Sequence, residues 1–563
     1  MLKYFFFLAL VLCSFVVKAQ DTQLFGKHKI YTRADTLRGS ITPERAWFDV
    51  QYYDLNITLK PEQQWLGGYN DIYFKTTSAQ NRMQLDLFAN LQVDSIIFAQ
   101  KLCKYTREYN AVFVTLPQNV NVDSSYVLRF YYSGKPTVAK MPPWDGGFVW
   151  KKDNNNQPFV GVACQGMGAS VWFPNKDHQS DEPDKGARIS CTVPNNLMAI
   201  SNGQFVASEA AENNQQCYTW RVTYPINNYA ISLYVGNYVP ITDQFISPND
   251  TLPITYYVLS YNKDKATAQF AQTKPMLQCF EQYLGKYPFA NDGYKVVEAP
   301  YLGMEHQSAI AYGNGYENGY MGMDLSKSGW GDDFDYILIH ETGHEWWGNN
   351  ISTADIADMW VHESFCTYTE SLYVGCRFGE KAADEYINGY QKTVENDRPI
   401  IGKYNLNEEG SSDMYYKGAL MLHTIRWVIN NDSLWFGILK QLNQDFRYQV
   451  VTGQQIEQYI SQKAGIDISP IFDQYLRQTN PPTLQYKVTG NAKKNKLTLS
   501  YRWQADVKNF TMPVWLKVLS TYQHLPVTTQ WQSIEIPFTK DNSFKFDTNR
   551  GYFLVDKGTG SEK

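Results

Sequence analysis

HETGHEWWGN, residues 340–349, decides how this chain is read. It holds two histidines four positions apart, with a glutamate directly after the first. On a helix that spacing sets His340 and His344 on one face, one turn apart, close enough to share a metal ion. Glu341 then points about a quarter-turn aside, where it reaches a metal-bound water rather than the metal, as a general base must. The surrounding pattern, residues 332–349, is expected to form one helix, with Asp332, Asp333 and Asp335 favourably placed in its first turn. A catalytic zinc takes three protein ligands and keeps a fourth position open. The motif supplies only two.

The next helical pattern, WVHESFCTYTE at 360–370, offers Glu363, nineteen positions after His344. A helix, a turn and a return helix bring such a residue back to the same ion. His362 competes for the role, but neighbours on a helix face different ways. Glu370 lies seven residues on, on the face of Glu363. It is either an acceptor that orients a liganding histidine or a solvated surface acid. Two imidazoles and a carboxylate suit one zinc ion, which lowers the pKa of its water to about 7.

The chain has 563 residues, too many for one core, so three or four domains are expected. Its net charge of −5 carries no basic bias, so nucleic acid is not an expected partner. Residues 1–19 read as a secretory signal peptide. Lys3 precedes an apolar run from Tyr4 to Val17, and Val17 and Ala19 are the small residues before a cut at Gln20. Export to the periplasm or medium is therefore expected, without stable membrane insertion after cleavage. Seven cysteines remain beyond Cys13: Cys103, Cys164, Cys191, Cys217, Cys279, Cys366 and Cys376. None forms a C-x-x-C pair, and their pairing stays open.

The expected architecture is multidomain α+β. Alternating runs such as FDVQYYDLNITLK (48–60) and SYVLRFYYSGKP (125–136) assign 20–245 to an antiparallel β domain. Helical periodicity assigns 246–478 to a mainly helical catalytic domain. Strand patterns return in 479–563, enough for a small β-sandwich.

H-E-x-x-H-x-W-x-G-N followed by W-x-x-E resembles the zinc aminopeptidase family of aminopeptidase N and the leukotriene hydrolases. His340, Glu341, His344, Trp346, Gly348, Asn349, Trp360 and Glu363 carry the match. The resemblance implies a thermolysin-like catalytic domain. It also implies one zinc on His340, His344 and Glu363, with Glu341 as general base. YLGMEHQ at 301–307 resembles the family's G-x-M-E-N segment, in which the backbone, here Gly303 and Met304, binds peptide as an added strand. The glutamate of that segment, here Glu305, holds the substrate's α-amine. Leu302 stands at the family's first glycine, and His306 and His362 stand where asparagines are usual. Within GVACQGMGASVWFPNKDHQSDEPD (161–184), Gln165 matches a residue that contacts the amine. In MYYKGAL (414–420), Tyr415 matches the tyrosine that stabilises the tetrahedral intermediate, and Lys417 is expected to be structural.

The expected function is thus zinc-dependent removal of N-terminal residues from peptides with a free N-terminus. An endopeptidase or an epoxide hydrolase on the same site, or a non-catalytic peptide- or zinc-binding envelope protein, are the competing readings. The basic residues with which leukotriene hydrolases hold a carboxylate have no visible counterpart. The oligomeric state is not legible.

Overall fold

The computed structural model describes residues 30–247, 250–491, 496–537 and 544–558. The signal peptide expected at 1–19 lies outside the described residues. Two short helices, Arg33–Gly39 and Pro43–Ala46, lead into strand Phe48–Lys60, which pairs antiparallel with Trp65–Thr76. These strands sit in the middle of an eight-stranded sheet, and a four-stranded sheet packs its apolar side chains into the same core. The sheet is not wholly antiparallel, which corrects the expectation. Tyr53–Thr58 runs parallel to Ala187–Thr192. A parallel partner needs a long crossover, here the chain from 61 to 186. Alternation within one strand carries no sign of its partner's direction.

The second region opens on a five-stranded sheet. Its order is Tyr238–Ser247, Asp250–Leu259, Tyr294–Glu298, Ile310–Tyr312, Gly303–Met304. The expected boundary at 245/246 falls inside the first of these strands, which pairs along its length with the second. Gly303–Met304 is the edge strand, antiparallel to Ile310–Tyr312. Met304 and Ala311 pack into the core of the N-terminal region, so this edge lies where the two regions meet.

Three helices carry the site. Tyr336–Gly343 holds the first motif histidine, and Trp360–Phe378 is buried continuously from Trp360 to Val374. Tyr416–Ile429 crosses the latter closely at Gly418, where an added Cβ would lie 1.9 Å from Ser364 Oγ. Ser364 Oγ donates to Met414 O at 2.7 Å and fastens this crossing. Glycine is therefore required after Lys417, whose ammonium donates to Thr479 O at 2.6 Å. A disulfide joins Cys279 to Cys376, at the end of the long helix. Cys103, Cys164, Cys191, Cys217 and Cys366 are free.

Beyond helix Ser469–Arg477 the chain forms a four-stranded and a three-stranded sheet. Leu499, Trp503 and Leu516 from these sheets share one core with the helices. The C-terminal region is thereby built onto the helical region rather than tethered to it.

Candidate active site

The motif helix is shorter than its sequence pattern. Asp335 is its N-cap, accepting from Leu338 N at 3.1 Å, whereas Asp332 and Asp333 lie in a separate turn, Trp330–Asp333. After Gly343 the chain makes a wide turn, and Trp347 (φ −119°, ψ 98°) and Gly348 (φ 119°, ψ −45°) leave helical geometry. The expectation of a continuous helix to 349 is corrected accordingly. Gly348 occupies left-handed backbone, and a Cβ there would come 3.2 Å from His362 Nδ1. The break has a use: it turns Trp347 O back to accept from His344 Nδ1 at 2.9 Å.

His340 Nδ1 donates to Glu370 Oε1 at 2.7 Å. The other oxygen of Glu370 accepts from Tyr386 and Tyr390, each at 2.8 Å. With both Nδ1 atoms donating, each ring keeps its lone pair on Nε2. Glu363 Oε2 lies 3.6 Å from His340 Nε2 and 3.5 Å from His344 Nε2. It is buried and has no hydrogen-bond partner among the described residues. Ligands held about 2.1 Å from one ion at tetrahedral angles stand about 3.4 Å apart, so the donor set and its spacing fit zinc. An acceptor oxygen buried against two lone pairs is costly unless a cation joins them.

His362 does not take part. Its Nε2 accepts from Thr353 N at 3.1 Å, which puts the ring proton on Nδ1. Burial holds it neutral, with the pKa pushed down to about 3. His306 is likewise neutral and buried, with Nδ1 2.5 Å from the Tyr234 hydroxyl. Both histidines are packing residues beside the site.

Glu341 lies outside the ligand trio, near Glu305 and His344. Burial, above all, pushes its carboxyl up to about 7; Glu305 and Glu363 add to this while His340 and His344 oppose it. A Cβ on Gly303 would lie 2.8 Å from Glu341 Oε1 and 2.7 Å from Ile337 Cγ2, so only glycine leaves room for this carboxylate. Glu305 Oε1 accepts from Gln165 Nε2 at 3.0 Å and from the Tyr229 hydroxyl at 3.1 Å. Gln165 Nε2 also lies 3.2 Å from Glu363 Oε1, tying the N-terminal region to the metal-ligand trio. Asn349 Nδ2 donates to Glu305 O at 2.9 Å, which fixes the edge strand to the motif. Tyr415 immediately precedes its helix, with its ring centroid 6.1 Å from that of His340. Burial first, then the charges of Glu363, Glu409, Glu305 and Glu341, raise its pKa, so the hydroxyl stays a donor. Tyr229, Tyr386 and Tyr390 were not singled out from sequence. One tyrosine among 41 carries no distinguishing signal.

Residues 50–230 match the Peptidase M1 N-terminal domain, and residues 268–475 match the Peptidase family M1 domain. The chain belongs to the M1 peptidase family. A leucyl aminopeptidase of Saccharolobus solfataricus is 25% identical over 390 residues, covering 66% of this chain and 47% of that protein. Leukotriene A-4 hydrolase of Xenopus laevis is 23% identical over 395 residues, covering 66% of this chain and 61% of that protein. The chain thus spans about half the length of these M1 relatives. The solved M1 zinc metallopeptidase of Deinococcus radiodurans superposes with a TM-score of 0.67 at 21% identity, covering 79% of this chain and 97% of that one. Aminopeptidase A of Legionella pneumophila gives a TM-score of 0.74 at 14% identity, covering 91% and 60%. The fold is that of M1 zinc metallopeptidases.

Glu370→Ala is expected to weaken zinc binding about 10–100-fold, because His340 loses the acceptor that sets its tautomer. Competition with a chelator measures this, and unchanged affinity would assign Glu370 to packing alone.

Proposed function

We propose that this M1 chain is a zinc-dependent aminopeptidase that removes the first residue of peptides with a free α-amine. The observation that carries the reading is Glu305. Its carboxylate is held by Gln165 and Tyr229 beside the metal-ligand trio and at the edge of a sheet. A peptide lies along the outer edge of Gly303–Met304 and adds a strand. Its α-ammonium meets Glu305 and the free amide oxygen of Gln165. Glu305, Glu341 and His344 present oxygen and nitrogen atoms within 4.8 Å of one another, so the amine anchor lies beside the general base and a metal ligand.

His340, His344 and Glu363 would hold the zinc, and a bound zinc would supply Lewis acidity and lower the pKa of a water. Glu341 accepts a proton from the attacking water and passes it to the leaving amine as the C–N bond breaks. The Tyr415 hydroxyl donates to the oxyanion. We also propose an exported location, supported by the leader-like segment at 1–19 and by the Cys279–Cys376 disulfide.

A panel of aminoacyl fluorogenic substrates tests the activity. Hydrolysis is expected to disappear on chelation and to return with added zinc. Activity that persists after complete removal of metal would overturn the reading.

A further inference from the structure

We propose that Glu409 is a specificity-determining residue, and that it makes lysine and arginine the preferred N-terminal residues of the substrate. This rests on the aminopeptidase reading above. Glu409 belongs to a loop pinned against the wall that carries Gln165. Asn407 Nδ2 donates to Gly166 O at 3.0 Å, and Arg398 Nη2 donates to Gly410 O at 2.8 Å. Gly402 is pressed against the loop backbone, with room for no Cβ: one would lie 2.0 Å from Glu408 O. The loop is therefore held, and it aims the Glu409 side chain at the wall. Glu409 Oε1 lies 3.8 Å from where a Cβ on Gly166 would sit. Gly166 follows Gln165, whose amide spans Glu305 and Glu363.

The carboxylate is half-buried and makes no hydrogen bond or ion pair among the described residues. Arg398 lies close enough to favour the charged form of Glu409 but makes no ion pair with it. Arg398 lies 3.6 Å from Asp397, and Arg38, at the same wall, pairs with Asp177 at 3.1 Å. Glu409 is no metal ligand, since it stands outside both clusters able to hold an ion. A cationic first side chain reaching this carboxylate gives it a close partner of opposite charge. Lysine and arginine are the residues whose cation stands far enough from the α-amine to reach past Gln165 to Glu409.

The test compares kcat/KM for lysyl, arginyl, norleucyl and glutamyl fluorogenic substrates in the zinc-loaded protein and in Glu409→Gln. Norleucine matches lysine in length without its charge. The unaltered protein is expected to favour lysine over norleucine roughly tenfold or more, mainly through KM, and Glu409→Gln is expected to abolish that ratio. Because the ratio is taken within one preparation, it does not depend on the folded fraction. Glu409→Lys provides a second reading: it is expected to shift the preference toward glutamate. A lysine-to-norleucine ratio near one in the unaltered protein, or one that survives in Glu409→Gln, overturns the proposal while leaving the aminopeptidase reading intact. Absence of hydrolysis on all four substrates would overturn both.

Discussion

Glu341→Gln is expected to lower kcat on every aminoacyl substrate by about 10²–10⁴-fold, the usual worth of a positioned general base. It should do so with zinc still bound at one ion per chain, because Glu341 lies outside the trio of His340, His344 and Glu363. The substitution keeps the shape that fits against Gly303, so folding is not at issue. It removes only the ability to accept a proton. Metal analysis and steady-state kinetics on the same preparation separate the two effects. Full activity would remove Glu341 from the mechanism, and loss of zinc would make it a ligand instead.

Glu305→Ala has the second large effect. The carboxylate is buried beside Gln165 and Tyr229, and truncating one partner of a buried charge pair costs about 2–5 kcal/mol. For a substrate with a free α-amine this corresponds to a fall in kcat/KM of about 30-fold or more, appearing chiefly as a rise in KM. A substrate without that amine has nothing to lose. A fall in kcat with KM unchanged would show that Glu305 supports the fold rather than the amine.

The residues that bear chemistry were readable because their chemistry dictates spacing. His340 and His344 must share a helix face, and Glu363 must return on the following helix. What holds them was not readable. The acceptors for the two Nδ1 protons are Glu370 and the carbonyl of Trp347. The second of these exists because Trp347 and Gly348 break the helix that the apolar pattern continues. Glu370 was visible by its register with Glu363, but its tyrosine partners were not. His362 shows the limit from the other side. By residue type it competed with Glu363; helix geometry argued against it, and the bond from Thr353 N to its Nε2 shows where the ring goes instead. The parallel strand pair in the N-terminal region was hidden for a similar reason, since pairing depends on a partner more than a hundred residues away.

The most direct test incubates the zinc-loaded protein with a short peptide and with its N-acetylated counterpart, and follows the products by mass spectrometry. The expected result is stepwise loss of single residues from the N-terminus of the free peptide and no cleavage of the acetylated one. Internal cleavage, or hydrolysis of the acetylated peptide at the same rate, would contradict the role of Glu305 as the anchor that sets where the chain is cut.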